Sequence, residues 1–361
     1  MTADPGPSKG EPVGAPNGPV VKGFTMIRWR PFWIAALTAA ALLVPGSATV
    51  SSVGAEAAST IRIASLAPPG SSFVKVLKAW SRTLEKETEG RVELRVFSGG
   101  SEGDDRDLIR KIKGGKLDAA GVATTGLSLI VPEVQVLTAP GLLTTDASLD
   151  GARTKLDARF QKVIEDRGFK LLTWGDGGKN RVFSSTPFSS PADLANQPAW
   201  AGKDNAVVEE FVKAIGANPV RVGASGVFPG LGNNKLQVVP ASAMAAVAFQ
   251  WYTRLKAMTS SNFNIIVGGS VISKKKFDEL TPADQKTLLA TAKRAAEKLD
   301  QIVQRDDDRA YETLLSRGIA VVDTAAHQAA WDAAAKKARD RLAERGVYSK
   351  SLLGSVEAAI K

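Results

Sequence analysis

The sequence TPADQKTLLATAKRAAEKLDQIVQRDDDRAYETLLSR at residues 281–317 decides the architecture of the chain. Thr281 is a good helix N-cap, Pro282 suits the first helical position, and Asp284 places an acid in the first turn. After Pro282 the helical pattern runs to Arg317 without glycine or proline. At 1.5 Å per residue such a helix is about 50 Å long, more than the width of one α/β lobe. The pattern therefore predicts a helix that lies across two lobes or projects from one.

The segments before this helix alternate between strand and helix. Strand, helix, strand, helix and strand patterns follow one another at residues 60–66, 73–88, 92–97, 104–113 and 117–122. This order predicts a parallel sheet covered by helices. Residues 241–258 are apolar almost throughout and predict one helix that carries Phe249, Trp251 and Tyr252.

A second stretch, RVFSSTPFSSPADLANQPAWA at residues 181–201, joins two segments that each have the pattern of an α/β half. Arg181 follows a glycine-rich segment at residues 175–178, which predicts a turn, and Trp200 ends a short apolar run of strand character. An isolated arginine and an isolated tryptophan at the junction of two lobes are candidate ligand contacts. A surface arginine and a core tryptophan explain the same spacing.

The composition excludes several classes of protein. The chain has 361 residues, no cysteine, and a single histidine, His327, so it has no disulfide framework and no cysteine nucleophile. Serine–histidine–aspartate catalysis and most zinc or haem sites are disfavoured for the same reason. The net charge is +10, but basic and acidic residues interleave instead of clustering as in nucleic-acid-binding proteins. We therefore expect that the protein is not an enzyme and that it binds no cofactor, no metal and no nucleic acid.

The amino terminus has the pattern of an export signal. Residues 1–25 are rich in glycine and proline and predict a disordered extension or an incorrectly assigned start, with translation beginning at Met26. Arg28 and Arg30 then precede an apolar run at residues 32–44, and Ala55-Glu56-Ala57 fits the small-x-small cleavage rule. The run is too short to span a bilayer. The pattern predicts a cleavable signal peptide at residues 26–58 and a periplasmic product.

Four segments carry a resemblance to a known family. They are LAPPGSSF at residues 66–73, TEGRVELRVFSGGSEGDDRDLIRKIKGGKLDAAGV at 88–122, NRVFSSTPFSSPADL at 180–194 and VISKKKFDELTPADQKTLLATAKRA at 271–295. Together they resemble the solute-binding proteins of tripartite ATP-independent periplasmic (TRAP) transporters, the DctP-type family, over about residues 61–345. The resemblance implies a two-lobe α/β periplasmic binding protein, type II-like, with a long helix spanning both lobes and a ligand enclosed between them on closure.

The sequence departs from the family at its ligand-binding arginine. The family usually grips an organic acid with an arginine in a lysine-isoleucine-arginine-valine strand, whereas residues 198–201 read PAWA and place Trp200 at that position. Arg181 matches an earlier family arginine. A guanidinium binds a carboxylate through two charge-assisted hydrogen bonds, whereas an indole offers a flat apolar face and one donor. The change predicts a ligand more apolar than a dicarboxylate, unless Arg181, Lys203 or Arg221 has taken over the lost role.

These observations together define the expected site and function. We expect a receptor that captures an organic acid or an apolar or aromatic solute between its lobes and delivers it to TRAP membrane subunits. An exported scaffold that presents its ligand to a sensor or periplasmic partner is the alternative. Relatives that lack the arginine are thought to pair with a helical-repeat periplasmic protein, which adds such a partner to the candidates. The expected ligand contacts are Arg181, Trp200, Phe249, Trp251, Pro140, Ser71 and Gln237.

The resemblance also implies a division of the exported chain into two discontinuous lobes. We expect lobe I to comprise residues 59–180 and 268–300. Lobe II would then comprise residues 181–267 and 301–361, including the spanning and C-terminal helices.

Overall fold

The computed structural model describes residues 58–360. The expected extension and signal peptide, residues 1–58, lie outside the described residues except for Ala58. Within the described range, no helix combines the length and hydropathy that a membrane-crossing segment requires.

The described residues contain ten strands and eleven α-helices. The strands are β1 Ser59–Ser65, β2 Val92–Phe97, β3 Ala119–Ala123, β4 Phe169–Ser184, β5 Pro198–Trp200, β6 Asn218–Val220, β7 Val238–Ser242, β8 Ala257–Thr259, β9 Asn264–Ser273 and β10 Ala320–Val322. The helices are α1 Ser72–Glu87, α2 Asp105–Lys113, α3 Thr124–Ser128, α4 Asp146–Asp166, α5 Ala206–Ala214, α6 Val227–Gly232, α7 Ala243–Ala248, α8 Lys274–Asp278, α9 Pro282–Ser316, α10 Gln328–Glu344 and α11 Lys350–Ala359. Short 3-10 turns lie at Pro132–Thr138, Pro191–Leu194, Ala224–Gly226, Trp251–Thr253 and Ala325–His327.

The strands form one mixed sheet in the order β2-β1-β3-β9-β4-β7-β5-β6, with β8 beside β4 and β10 beside β8. Strands β1, β2 and β3 are parallel, as the alternating pattern predicts. Strand β9 is antiparallel to both β3 and β4, so the sheet as a whole is mixed. The alternating pattern at residues 60–122 does not include β9, which joins this part of the sheet from late in the chain.

Two lobes are built on the two ends of this sheet. In the first lobe, two hydrophobic clusters pack on opposite faces of β1, β3 and the adjoining part of β9. In the second lobe, two further clusters surround β5, β7 and β8. The 16-residue strand β4 pairs with β9 along its first part and with β7 and β8 along its last part, so it runs through both lobes. The two-lobe α/β architecture agrees with the expected fold class.

The long helix connects the cores of both lobes, as its length predicts. Leu288 and Ala292 of α9 are buried in the first lobe, and Ala310 and Leu314 are buried in the second. The Thr281 side chain accepts a hydrogen bond from the Asp284 backbone N–H at 3.2 Å, which is the expected N-cap. The helix is Pro282–Ser316, a length of about 52 Å.

The glycine-rich segment at residues 175–178 is not the turn that the sequence predicts. It lies inside β4, at an irregularity in the pairing with β9 between Asp176 and Lys179. A Cβ atom on Gly177 would lie 2.8 Å from the Ile266 side chain, and Gly178 has a positive φ of +91°. Glycine is therefore required for close packing at this point of the strand and not for chain reversal.

Residues 241–258 do not form the single helix that their apolar character predicts. They form the end of β7, the six-residue helix α7, a 3-10 turn and β8. Ser242 caps α7 by accepting a hydrogen bond from the Ala245 backbone N–H at 3.3 Å, so the helix begins late. Gln250 then takes a left-handed conformation with φ of 57°, which ends the helical path and turns Trp251 into the core.

Candidate functional site

A cleft of about 640 Å³ lies between the two lobes and is lined by both. The first lobe contributes Leu66 and residues at the start of α2, and the second lobe contributes Trp200, Lys203 and Phe249. The floor is formed by side chains of β4 and β9, the two strands that pass between the lobes. Binding sites commonly form at such junctions, and the volume suits a small organic molecule.

An aromatic cluster forms the wall of the cleft on the second lobe. Phe249 stacks on Trp251 with ring centroids 5.1 Å apart, and Trp200 meets Trp251 edge to face at 5.4 Å. Trp251 is 1% exposed and lies behind the other two rings, whereas Phe249 is 43% exposed. The Trp200 indole N–H donates to the Val222 carbonyl at 2.8 Å, which fixes the ring. The cluster thus presents a rigid apolar surface to the cleft.

Two asparagines on the floor have buried amide oxygens without a partner. Asn180 on β4 and Asn264 on β9 lie side by side in register, and both line the cleft. The Asn264 amide nitrogen donates to the Thr138 carbonyl at 2.6 Å. Neither Oδ1 atom accepts a hydrogen bond from the described residues. Because an unpaired buried acceptor is costly, these oxygens suit a hydroxyl or N–H group of a ligand.

The sequence reasoning missed both asparagines. Asn180 lies in the segment that carried the resemblance, directly before Arg181, and Asn264 begins an apolar strand pattern. The signal that the sequence offered was a single amide side chain in each of two strand patterns. Only the pairing of β4 with β9 brings the two amides together.

Lys203 lines the cleft and forms no ion pair with an acid among the described residues. Of the three candidates for the lost arginine role, only Lys203 lines the cleft, where it is exposed and forms no ion pair with the described residues. Arg221 donates two hydrogen bonds to Glu209, at 2.8 and 2.6 Å. These bonds, with those from Lys213, lower the pKa of Glu209 to about 2 despite its burial. Arg221 is therefore paired with Glu209 and not with a group in the cleft.

Arg181 is buried away from the cleft lining. Its Nη1 atom lies 3.4 Å from the Asp307 carboxylate on α9, and its guanidinium stacks over the Tyr311 ring at 4.7 Å. Asp307 also accepts hydrogen bonds from the backbone N–H groups of Lys179 and Met244, at 3.2 and 3.3 Å. This cluster joins β4, α7 and α9.

A group of acids lies at the rim of the cleft near the start of α2. Burial, together with the charges of Asp104 and Asp204, raises the pKa of Asp105 from its ordinary value of 3.8 to about 7. Arg106 of the first lobe donates to Asp204 of the second lobe at 2.6 Å, so this ion pair bridges the two lobes. The bridge is exposed on the Arg106 side and contributes little to stability.

The other predicted contacts lie outside the lining of this cleft. The Pro140 carbonyl accepts a hydrogen bond from Arg339 at 2.5 Å, and Ser71 is the N-cap of α1. The backbone of Gln237 bonds to Pro198 and Ser185, each at 2.8 Å. The structure therefore brings Trp200, Phe249 and Trp251 together, with Trp251 as the support, and separates them from Arg181, Pro140, Ser71 and Gln237. Residues 58–360 contain no group of three or more histidines or acids arranged to hold a metal.

Comparison with known proteins shows which proteins the chain is similar to. The profile of the bacterial extracellular solute-binding proteins, family 7 (DctP), matches residues 63–345. The 2,3-diketo-L-gulonate-binding periplasmic protein of Escherichia coli is 24% identical over 287 residues, covering 78% of this chain and 86% of the relative. The sialic acid-binding periplasmic protein of Vibrio cholerae is 22% identical over 294 residues, covering 79% and 88%.

Solved structures agree with this fold. A TRAP periplasmic solute-binding protein from Desulfovibrio salexigens, solved with orotic acid, has a TM-score of 0.77 at 20% identity, covering 84% of this chain and 98% of that one. A protein of the same type from Roseobacter denitrificans, solved with β-D-glucuronate, has a TM-score of 0.77 at 17% identity, covering 83% and 99%.

Proposed function

Because the chain belongs to the bacterial extracellular solute-binding proteins of family 7, we propose that it captures an organic acid with an apolar body for a TRAP transporter. The family is one of periplasmic receptors and not of enzymes. The finer part of the proposal concerns the solute. We infer a single carboxylate bound at Lys203 and an aromatic or acyl portion against the aromatic wall at Trp200 and Phe249.

The observation that carries this proposal is the exposed aromatic wall beside an unpaired lysine. A side chain of the size of Phe249, left 43% exposed on a rigid stack, is costly in water and gains from contact with an apolar solute. Lys203 supplies one positive charge at the same cleft. One point charge suits one carboxylate, which an arginine would instead hold through two parallel hydrogen bonds.

The ligands of similar proteins support an acid group in the solute. Orotic acid, β-D-glucuronate and 2,3-diketo-L-gulonate, named for three of them, each carry one carboxylate. Those molecules also carry several polar groups. The unpartnered amide oxygens of Asn180 and Asn264 would accept a hydrogen bond from one hydroxyl or N–H group of the solute.

A calorimetric comparison of two acids tests the proposal. We expect the purified protein to bind 3-phenylpropanoate more tightly than succinate. Lys203→Met should weaken 3-phenylpropanoate binding about fivefold, because a partly solvated ion pair contributes about 1 kcal/mol. Lys235→Met, which removes an exposed lysine outside the cleft, is the matched control and should leave affinity unchanged.

Tighter binding of succinate, or equal affinities for the two lysine variants, would contradict the proposal. Native mass spectrometry of the purified protein gives an independent reading, since a co-purified acid with an aromatic or acyl part is the expected solute. Uptake of the identified solute into vesicles that contain the TRAP membrane subunits then distinguishes a transport receptor from a scaffold that serves a sensor.

A further inference from the structure

A second cavity, of about 240 Å³, lies in the first lobe between α1, α9 and the face of the sheet. We call it the side chamber. It adjoins the interlobe cleft, because Leu66, Ala123 and Ile266 line both spaces. Leu66 is 39% exposed and lies between the two spaces, so the side chamber borders the cleft at this side chain.

The wall of the side chamber is almost wholly apolar. Phe73 and Trp80 of α1 face Leu299 and three alanines of α9 across it. The Trp80 indole N–H is already satisfied by the Thr291 hydroxyl at 3.0 Å, so the ring offers only its apolar surface. Asp176 is the one ionisable residue that lines the chamber, and Arg153 binds its carboxylate at 2.5 Å. Such a wall favours hydrocarbon over water.

Glycines keep the sheet side of the chamber open. Five of them line it, at positions Gly121, Gly175, Gly177, Gly268 and Gly269. A Cβ atom on Gly121 would lie 2.8 Å from the Phe73 ring, and one on Gly268 would lie 2.7 Å from the Val122 carbonyl. A Cβ atom on Gly175 would meet no atom within 4 Å, so this position borders the empty space. Glycine weakens a strand interior and often marks close approach of a ligand.

We propose that the side chamber binds the distal end of the solute's hydrocarbon part, beyond the portion that lies against Trp200 and Phe249 in the cleft. The inference rests on the proposed function and adds the size and class of the solute. An apolar cavity of about 150 Å³ accepts benzene, so the side chamber suits a phenylalkyl group or an alkyl chain of about eight carbons. A medium-chain or aryl-substituted monocarboxylate fits both spaces.

A chain-length series tests the chamber directly. Calorimetry with butanoate, hexanoate, octanoate and decanoate should show affinity rising up to about fourfold per added methylene once the chain reaches the chamber. Gly175→Leu places a side chain in the empty space and should abolish this rise while leaving butanoate affinity unchanged. Gly175→Ala fills less of it and should reduce the rise. Gly354→Leu, the same exchange at an exposed glycine with free space on α11, is the control and should retain it.

Two outcomes would overturn the inference. One is affinity that does not depend on chain length, and the other is a rise that persists in folded Gly175→Leu protein. If no alkanoate binds, the proposed function is wrong, and an experiment with benzene tests separately whether the chamber binds hydrocarbon. Benzene contacts to Phe73 and Trp80 in NMR spectra of the wild type, lost in Gly175→Leu, would support a hydrocarbon site, whereas their absence in the wild type would overturn it.

Discussion

Exchange of Arg181 for methionine should destabilise the fold far more than it weakens ligand binding. The arginine and Asp307 are both buried, and removal of one partner leaves an uncompensated charge in the core. Breaking a buried pair typically costs 3–5 kcal/mol. The 3.4 Å contact and the two backbone N–H groups that still bind Asp307 favour the lower end, and loss of the Tyr311 contact adds up to about 1 kcal/mol. We expect a loss of about 3–4 kcal/mol in the free energy of unfolding.

Urea titration followed by circular dichroism measures this loss. The double variant Arg181→Met/Asp307→Asn removes both charges and should be more stable than the sum of the single variants predicts, by about 1–3 kcal/mol. Arg305→Met, an exposed arginine on the same helix, is the control and should change stability by less than about 0.5 kcal/mol. A loss below about 1 kcal/mol for Arg181→Met, or a folded variant that no longer binds the wild-type ligand, would refute a structural role for Arg181.

Three further predictions concern the cleft. Trp200→Arg should confer binding of a simple organic acid such as succinate, and calorimetry that detects none would reject the proposed match to the family arginine. Asp105→Asn should be more stable than the wild type at pH 8, and this advantage should shrink toward pH 4. Burial and the charges of Asp104 and Asp204 raise the pKa of Asp105 in the folded state to about 7. The stability that the protonated carboxyl contributes is therefore present below about pH 4 and is lost as the pH rises through 7. A difference in melting temperature that does not vary with pH would contradict that assignment. Asn180→Leu should stabilise the free protein by about 1 kcal/mol and weaken solute binding, because it removes an unpaired buried oxygen that serves the ligand; equal loss of both properties would indicate a purely structural asparagine.

Features determined by neighbouring residues could be predicted from the sequence. The cap at Thr281 and the absence of helix breakers after Pro282 specify the long helix locally, and the structure confirms it. The short strand at Trp200 follows in the same way from three apolar residues bounded by turns. In both cases the deciding contacts lie within a few positions of one another.

Features determined by distant partners could not be predicted in this way. The aspartates at residues 306–308 have the pattern of a solvated helix face, and only the fold shows that Asp307 turns inward to meet Arg181. The glycines at residues 175–178 are equally compatible with a turn and with a strand, because Ile266 and Asp307, which crowd them, come from other elements. The paired amides of Asn180 and Asn264 depend on a strand register that no local pattern specifies.

The sharing of α9 between both cores has a consequence for biogenesis. The apolar faces of β1, β2 and α1 stay uncovered until Leu288 and Ala292 have been synthesised, because these late residues complete the cluster that buries them. Contacts so remote in sequence delay folding, and incompletely buried chains tend to aggregate. The nascent chain therefore remains without a finished core until most of its length has been synthesised.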